Sequence, residues 1–107
     1  MMNQVVLIGR ITSNIEMKEG DNGNSCVELT LAVQRNYKNE DGVYETDFVD
    51  CVLYGALAEH TVEYCTKGDL VGVKGTIRTD VRASMTKETK IVAEKVSFLA
   101  SKPREDE

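Results

Sequence analysis

Phe48 and Tyr54, in the run TDFVDCVLY, are the side chains whose type and spacing best suit an outside partner. Residues of like parity on a strand share a face, so both rings emerge together, with Asp50 and Val52 between them. Val49, Cys51 and Leu53 face the other way and suit a core. Rings held in solvent on a stiff sheet fit a flat partner, and nucleic-acid bases are flat; stacking tolerates any base because each has a π-face. Tyr37, at the start of a loop, is a third candidate. Arg10, Arg35, Lys38, Lys74, Arg78 and Arg82 are candidate phosphate partners. Arg35 and Lys38 flank Tyr37, and Lys74 and Arg78 share a strand face. Lys87 and Lys90 are weaker candidates. Asp50 is the awkward member: a carboxylate between two rings repels phosphate unless it pairs with an arginine of a neighbouring strand.

Other chemistries lack their constellations. His60, the sole histidine, falls on the wet side of a short helix. Asp47 with Asp50, or Glu59 with Glu63, has no second ligand cluster to make a metal or acid–base site. A glycine-rich phosphate loop, a nucleophile elbow and a metal motif are all missing from the sequence. No cofactor, metal or catalytic step is expected. Cys26, Cys51 and Cys65 are scattered and odd in number, without CxxC spacing, and read as reduced structural thiols.

The chain has 107 residues, the commonest size for one domain. Its apolar fraction of 41% supports a modest single core. No secretory leader and no apolar run of membrane-crossing length is found, which leads us to expect a cytoplasmic protein. The formal net charge of −5 argues against binding nucleic acid by bulk charge. Glu105, Asp106 and Glu107 contribute to it, yet the chain stays acidic without the tail. Binding must therefore use a local basic stripe.

The elements that position these groups follow from periodicity. Residues 2–11, MNQVVLIGRI, form a first strand that is apolar on both faces: Val5, Leu7 and Ile11 on one, Val6 and Ile8 on the other. Two apolar faces want two covers, and a second subunit would supply one. A polar loop over 13–25 follows. Residues 26–35, CVELTLAVQR, alternate without a break: Val27, Leu29, Leu31 and Val33 inward, Glu28, Thr30, Ala32 and Gln34 outward. Residues 36–43 form a loop with Asp41-Gly42 as its turn signal. The ring-bearing strand ends at Tyr54-Gly55. A helix over 56–66 packs Leu57, Thr61 and Cys65 inward, with Tyr64 beside them, and stops at Gly68. A fourth strand spans 69–80, with Val71, Val73 and Ile77 inward and Lys74, Thr76 and Arg78 outward. A polar connection over 81–89 leads to a fifth strand at 90–99, in which Phe98 suits a core or an interface. Residues 1–100 thus read as one domain, and 101–107 as a short charged tail that frays. Three strands, a helix, then two strands is the order of the OB-fold, an all-β, five-stranded Greek-key barrel.

Beyond element order, MNQVVLIGRI, LTLAVQR, ETDFVDCVLYGALAE, EYCTKGDLVGVKGTIRT and VAEKVSFL resemble the bacterial single-stranded DNA-binding proteins, in matching order over residues 2–99. The run YGALAE…Y..KG.LV.V.G joins strand, helix and strand at the family's spacing. The resemblance implies an OB-fold, single-stranded DNA as ligand and a homotetramer, with a dimer as the other possibility. It matches Phe48 to the family's stacking position in the third strand, Tyr54 to the aromatic closing that strand, and Tyr37 to the aromatic at the base of the second loop. It places Val5, Val6, Leu7 and Ile8 at the oligomer interface, and it implies roles in replication, recombination and repair. Three departures stand out. The last hairpin is shorter than is typical, Arg82 replaces an aromatic near its start, and the family's linker with an acidic Pro-Phe tip is absent, so the resemblance leaves recruitment of replication and repair proteins open. The rival function is a protein-docking OB module with little DNA binding, of the primosomal replication protein N type.

Overall fold

Strand alternation dominates the fold because the apolar residues recur at period two nearly throughout. The computed structural model describes residues 1–20, 23–81 and 84–102. Its elements are β1 (Val5–Ile11), β2 (Lys18–Glu19), β3 (Ser25–Lys38), β4 (Tyr44–Tyr54), α1 (Gly55–Tyr64), β5 (Leu70–Val81) and β6 (Lys87–Ala100). The hydrogen-bonded order is β1-β5-β6-β4-β3-β2, and β1 also pairs with β3. That extra pairing closes the five long strands into a barrel, leaving the two-residue β2 as an appendage. β4 and β6 run parallel, through Cys51↔Ile91 and Val52↔Val92; the other pairs are antiparallel. This is the OB-fold, with α1 between its third and fourth long strands.

The inward residues of every long strand meet in one core. Val27, Leu29 and Leu31 of β3, Cys51 and Leu53 of β4, Val71 and Val73 of β5, and Ile91 and Ala93 of β6 are buried together. Each fully buried Val, Leu or Ile contributes about 1.5–3 kcal/mol, so the barrel interior supplies the main drive to fold. α1 caps this core with Ala58 and Thr61. Thr61 keeps its hydroxyl satisfied by donating to the Leu57 carbonyl at 2.8 Å. Gly55 has φ +60, a conformation that lets β4 turn directly into α1 and that side chains resist. At the closing seam, β1 passes from β5 to β3 around Arg10, which is in register with both Leu70 and Ala32.

Several expectations are corrected. β1 begins at Val5 rather than Met2, although Asn3 still ties the N-terminal segment to β5 through two 2.9 Å bonds with the Ile77 backbone. The loop over 13–25 contains β2, which is too short to leave a periodic signal. Strands β5 and β6 run further than expected, to Val81 and from Lys87. They form an arm beyond the barrel, and Ile77, expected inward, is 47% exposed. Ile91, in register with Ile77, is still buried and paired with Cys51 of β4, so the arm departs beyond that pair. α1 ends at Tyr64, capped by an extended Cys65, so Gly68 is not its stop. Gly68 instead occupies the next turn, where its N–H donates to the Ile11 carbonyl at 2.8 Å. Tyr64, expected beside the buried stripe, is exposed and meets the His60 ring in a T-shaped contact, at 6.5 Å between ring centres. Phe98 is half exposed, which removes the core reading and leaves the interface one.

Candidate nucleic-acid interface

The outer wall of β3 and β4 is set by their register. Cys26↔Tyr54, Glu28↔Val52, Thr30↔Asp50, Ala32↔Phe48 and Gln34↔Thr46 place the even-numbered residues of both strands on one outward surface. Phe48 is 69% exposed and Tyr54 47% exposed on it. Neither ring is drawn into the core. They stand six positions apart, roughly 20 Å along an extended strand. The surface between is not flat. Val52, in register with Glu28 on one side and Val92 on the other, is buried to 3% exposure although it faces outward. Its burial makes a dip between the rings.

That dip is a groove of about 490 Å³. Thr30, Asp50 and Val52 form its floor, Ser13, Asn14 and Glu16 one wall, and Glu88 and Lys90 the other. Asp50 does not find an arginine. Its carboxylate accepts from the Thr30 hydroxyl at 2.9 Å. Glu28 pairs with Lys18 at 3.7 Å, and Asp80 with Lys90 at 3.9 Å. The groove is thus rich in carboxylates, each cation on it being shared with an acid. A second cleft borders Tyr54 and is lined by Asn24, Ser25, Ala56 and Glu59.

The expected cations separate into groups. Arg10 is half-buried and donates from Nη1 to the Gly68 carbonyl at 2.9 Å, which braces the turn before β5. Arg35 is clamped by Asp47, to which Nε and Nη2 donate at 3.0 and 2.9 Å, and by Glu45 at 2.6 Å. The hydrogen bond and charge of Asp47, with the charge of Glu45, raise the Arg35 pKa above its ordinary value. The same bond holds the Asp47 carboxyl below its usual range. Lys38 lies 5.7 Å from the centre of the Tyr44 ring and continues the ring-bearing surface. Arg78 is exposed, and its register with Lys90 sets it on the groove side of the arm. Lys74 pairs in register with Val6 and Lys95, on the opposite wall of the barrel. Arg82 lies outside the described residues.

Tyr37 is 62% exposed and lies within electrostatic reach of Arg35, in the irregular stretch of β3 between Gln34 and Lys38. Of the β1 candidates, Val5 and Leu7 pack against the core, whereas Val6 and Ile8 are 70% and 58% exposed. Lys18, Glu28 and the segment 13–16 also line the groove. Lys18 comes there through the β2–β3 register and 13–16 through the turn out of β1, and no local sequence signal carries either. Among the described residues, no cluster of His, Cys, Asp and Glu is arranged to hold a metal ion, and no helix is long and apolar enough to cross a membrane. The cysteines are free thiols. Burial, and then the charge of Asp50, push the Cys51 thiol up to about 11.

A closed OB barrel with rings on its outer strand wall has the architecture of the oligonucleotide- and oligosaccharide-binding class. The profile of the Single-strand binding protein family matches residues 2–99, and the chain belongs to that family. It is similar to "Single-stranded DNA-binding protein B" of Bacillus subtilis strain 168, with 41% identity over 111 residues covering 98% of this chain and 96% of the relative. "Single-stranded DNA-binding protein 1" of Streptococcus pyogenes is 38% identical over 103 residues, covering 92% of this chain and 79% of the relative. "Single-stranded DNA-binding protein 3" of Listeria innocua is 42% identical over 106 residues, covering 95% of this chain and 66% of the relative.

Proposed function

We propose that this chain binds single-stranded DNA along the β3–β4 wall without reading a sequence. The observation that carries the reading is the pair of exposed rings, Phe48 and Tyr54, on one face of a strand whose other face is locked into the core. Splayed bases stack on these rings, each stack contributing roughly 1–3 kcal/mol. Lys38 and Arg78, at opposite margins of the wall, meet the phosphates. The acidic groove between the rings turns the backbone outward, because phosphate avoids carboxylate. The relatives named for single-stranded DNA support the same ligand.

Coating a strand in this way keeps it from re-annealing and from nucleases, a role in replication, recombination and repair. No step of catalysis is involved. Val6 and Ile8, apolar and exposed on β1, form the contact between copies, with Phe98 and Leu99 exposed on β6 as further apolar surface. A homotetramer is the expected assembly, and a dimer is the smaller solution. Several sites on one particle raise the overall affinity through effective concentration.

The test is tyrosine fluorescence on titration with poly(dT) at low and high salt, with the native mass recorded before and after addition of a dT oligomer. Tight binding that weakens with salt supports the reading. Absence of binding at low salt overturns it and leaves a protein-docking module. The mass reports assembly and occupancy together.

A further inference from the structure

Asp50 is the one carboxylate in the outward row between the rings, two residues from Phe48 and four from Tyr54. It is exposed. A carboxylate only accepts hydrogen bonds, so the proton in its 2.9 Å bond to Thr30 comes from the threonine hydroxyl. With that proton engaged, the hydroxyl faces any other partner as an acceptor. The groove floor beside Phe48 therefore presents acceptors alone: both Asp50 oxygens and the Thr30 oxygen. A base lying on Phe48 brings its edge over the residue two positions on, about 7 Å along the same face.

From this arrangement we infer that Asp50 biases the groove toward bases that carry an exocyclic amino group, and against thymine. The inference rests on the single-stranded DNA reading above and adds a preference in base composition to it. The amino groups of cytosine, adenine and guanine donate to a carboxylate; the C-amino-to-Asp or -Glu contact is a recurrent pairing in nucleic-acid recognition. Thymine offers one edge donor, N3–H, between two carbonyls that meet the carboxylate with the same sign of charge. Its O4 faces acceptors wherever cytosine would place N4. The bias is modest because the site is open to water.

The experiment is competition of dC and dT oligomers of equal length for the whole protein, at neutral pH and fixed salt, in wild type, Asp50→Asn and Asp50→Ala. Removing the charge raises affinity for both oligomers through weaker phosphate repulsion, so the readout is the ratio of dC to dT affinity. That ratio is expected to fall about three- to tenfold in Asp50→Asn, whose amide can donate to O4. In Asp50→Ala, which loses the acceptor and gains no donor, it falls by a smaller factor. Thermal melting checks that each variant is folded. A ratio that stays the same or rises in both variants overturns the inference and leaves the DNA reading intact. If wild type binds neither oligomer, the DNA reading fails and the inference with it.

Discussion

Arg35 and Asp47 face each other across the β3–β4 hairpin in a two-point ion pair, with donor–acceptor distances of 3.0 and 2.9 Å. Glu45 closes on the same guanidinium from the next position of that face. One of the two cations that flank Tyr37 in sequence is thus neutralised by two acids of the adjoining strand. Together with the paired state of Lys18 and Lys90, this leaves little free positive charge on the β3–β4 wall. On the proposed reading, affinity for DNA leans on ring stacking more than on phosphate contacts.

The pair fixes how Asp47 titrates. Its folded pKa lies below the ordinary 3.8, chiefly through the Arg35 hydrogen bond. A depressed carboxylate pKa contributes stability above the unfolded value and loses it as pH falls through the folded one. The window is therefore below 3.8, and the contribution is small because the pair is open to solvent. Side-chain NMR should show Asp47 titrating below 3.8 in wild type and moving back toward it in Arg35→Gln. An unmoved Asp47 would mean that the pair does not persist in solution.

Arg35 and Lys38 should behave differently as DNA contacts. Arg35→Gln is expected to leave affinity for a dT oligomer nearly unchanged. Lys38→Gln should lower it and reduce the slope of log K against log salt by about 0.7, the effect of one lost phosphate contact on a single strand. Equal losses from the two substitutions would show that DNA pulls Arg35 from its acids.

The cysteines should react in a fixed order. Cys26 is half-buried, whereas Cys51 and Cys65 are buried with thiol pKa values raised above the ordinary 9.0. Iodoacetamide on the native protein is expected to label Cys26 first and the other two only on unfolding. Mass mapping of early products decides it, and early labelling of Cys51 would indicate a barrel that opens readily.

Gly9 marks the tightest point of the seam. A Cβ there would sit 2.6 Å from the Ala32 carbonyl oxygen and 3.1 Å from a Val33 methyl. Gly9→Ala should therefore push β1 off β3 and cost about 1–3 kcal/mol, read as a lower urea midpoint at unchanged slope. An unchanged midpoint would mean that the seam has slack.

Much of the wall was legible from alternation alone. Val27 to Leu31 inward, and Phe48 and Tyr54 outward, follow from parity because β3 and β4 pair without a break from Cys26 to Gln34. Period two reports the face of a residue but not what lies above that face. Val52 is outward yet buried, since β6 arrives beside it in parallel register. Ile77 is on the inward parity yet exposed, since it stands at the last pair before its strand leaves the barrel. The fates of Arg10 and Arg35 depend on a turn carbonyl and on strand register, neither of which a linear pattern carries. Tyr37 follows an irregularity between Gln34 and Lys38, where a parity count loses its reference.

The account stands on Phe48 and Tyr54 as the surfaces that hold bases. The most direct measurement is the affinity of the double variant Phe48→Ala and Tyr54→Ala for a dT oligomer, at a salt concentration where wild type binds tightly. Both rings are exposed, so the variant should keep its fold by circular dichroism. The predicted result is a loss of about 2 kcal/mol or more, the scale of two missing stacks, with the salt slope kept. A folded double variant with wild-type affinity would contradict the account and move the binding face elsewhere on the barrel.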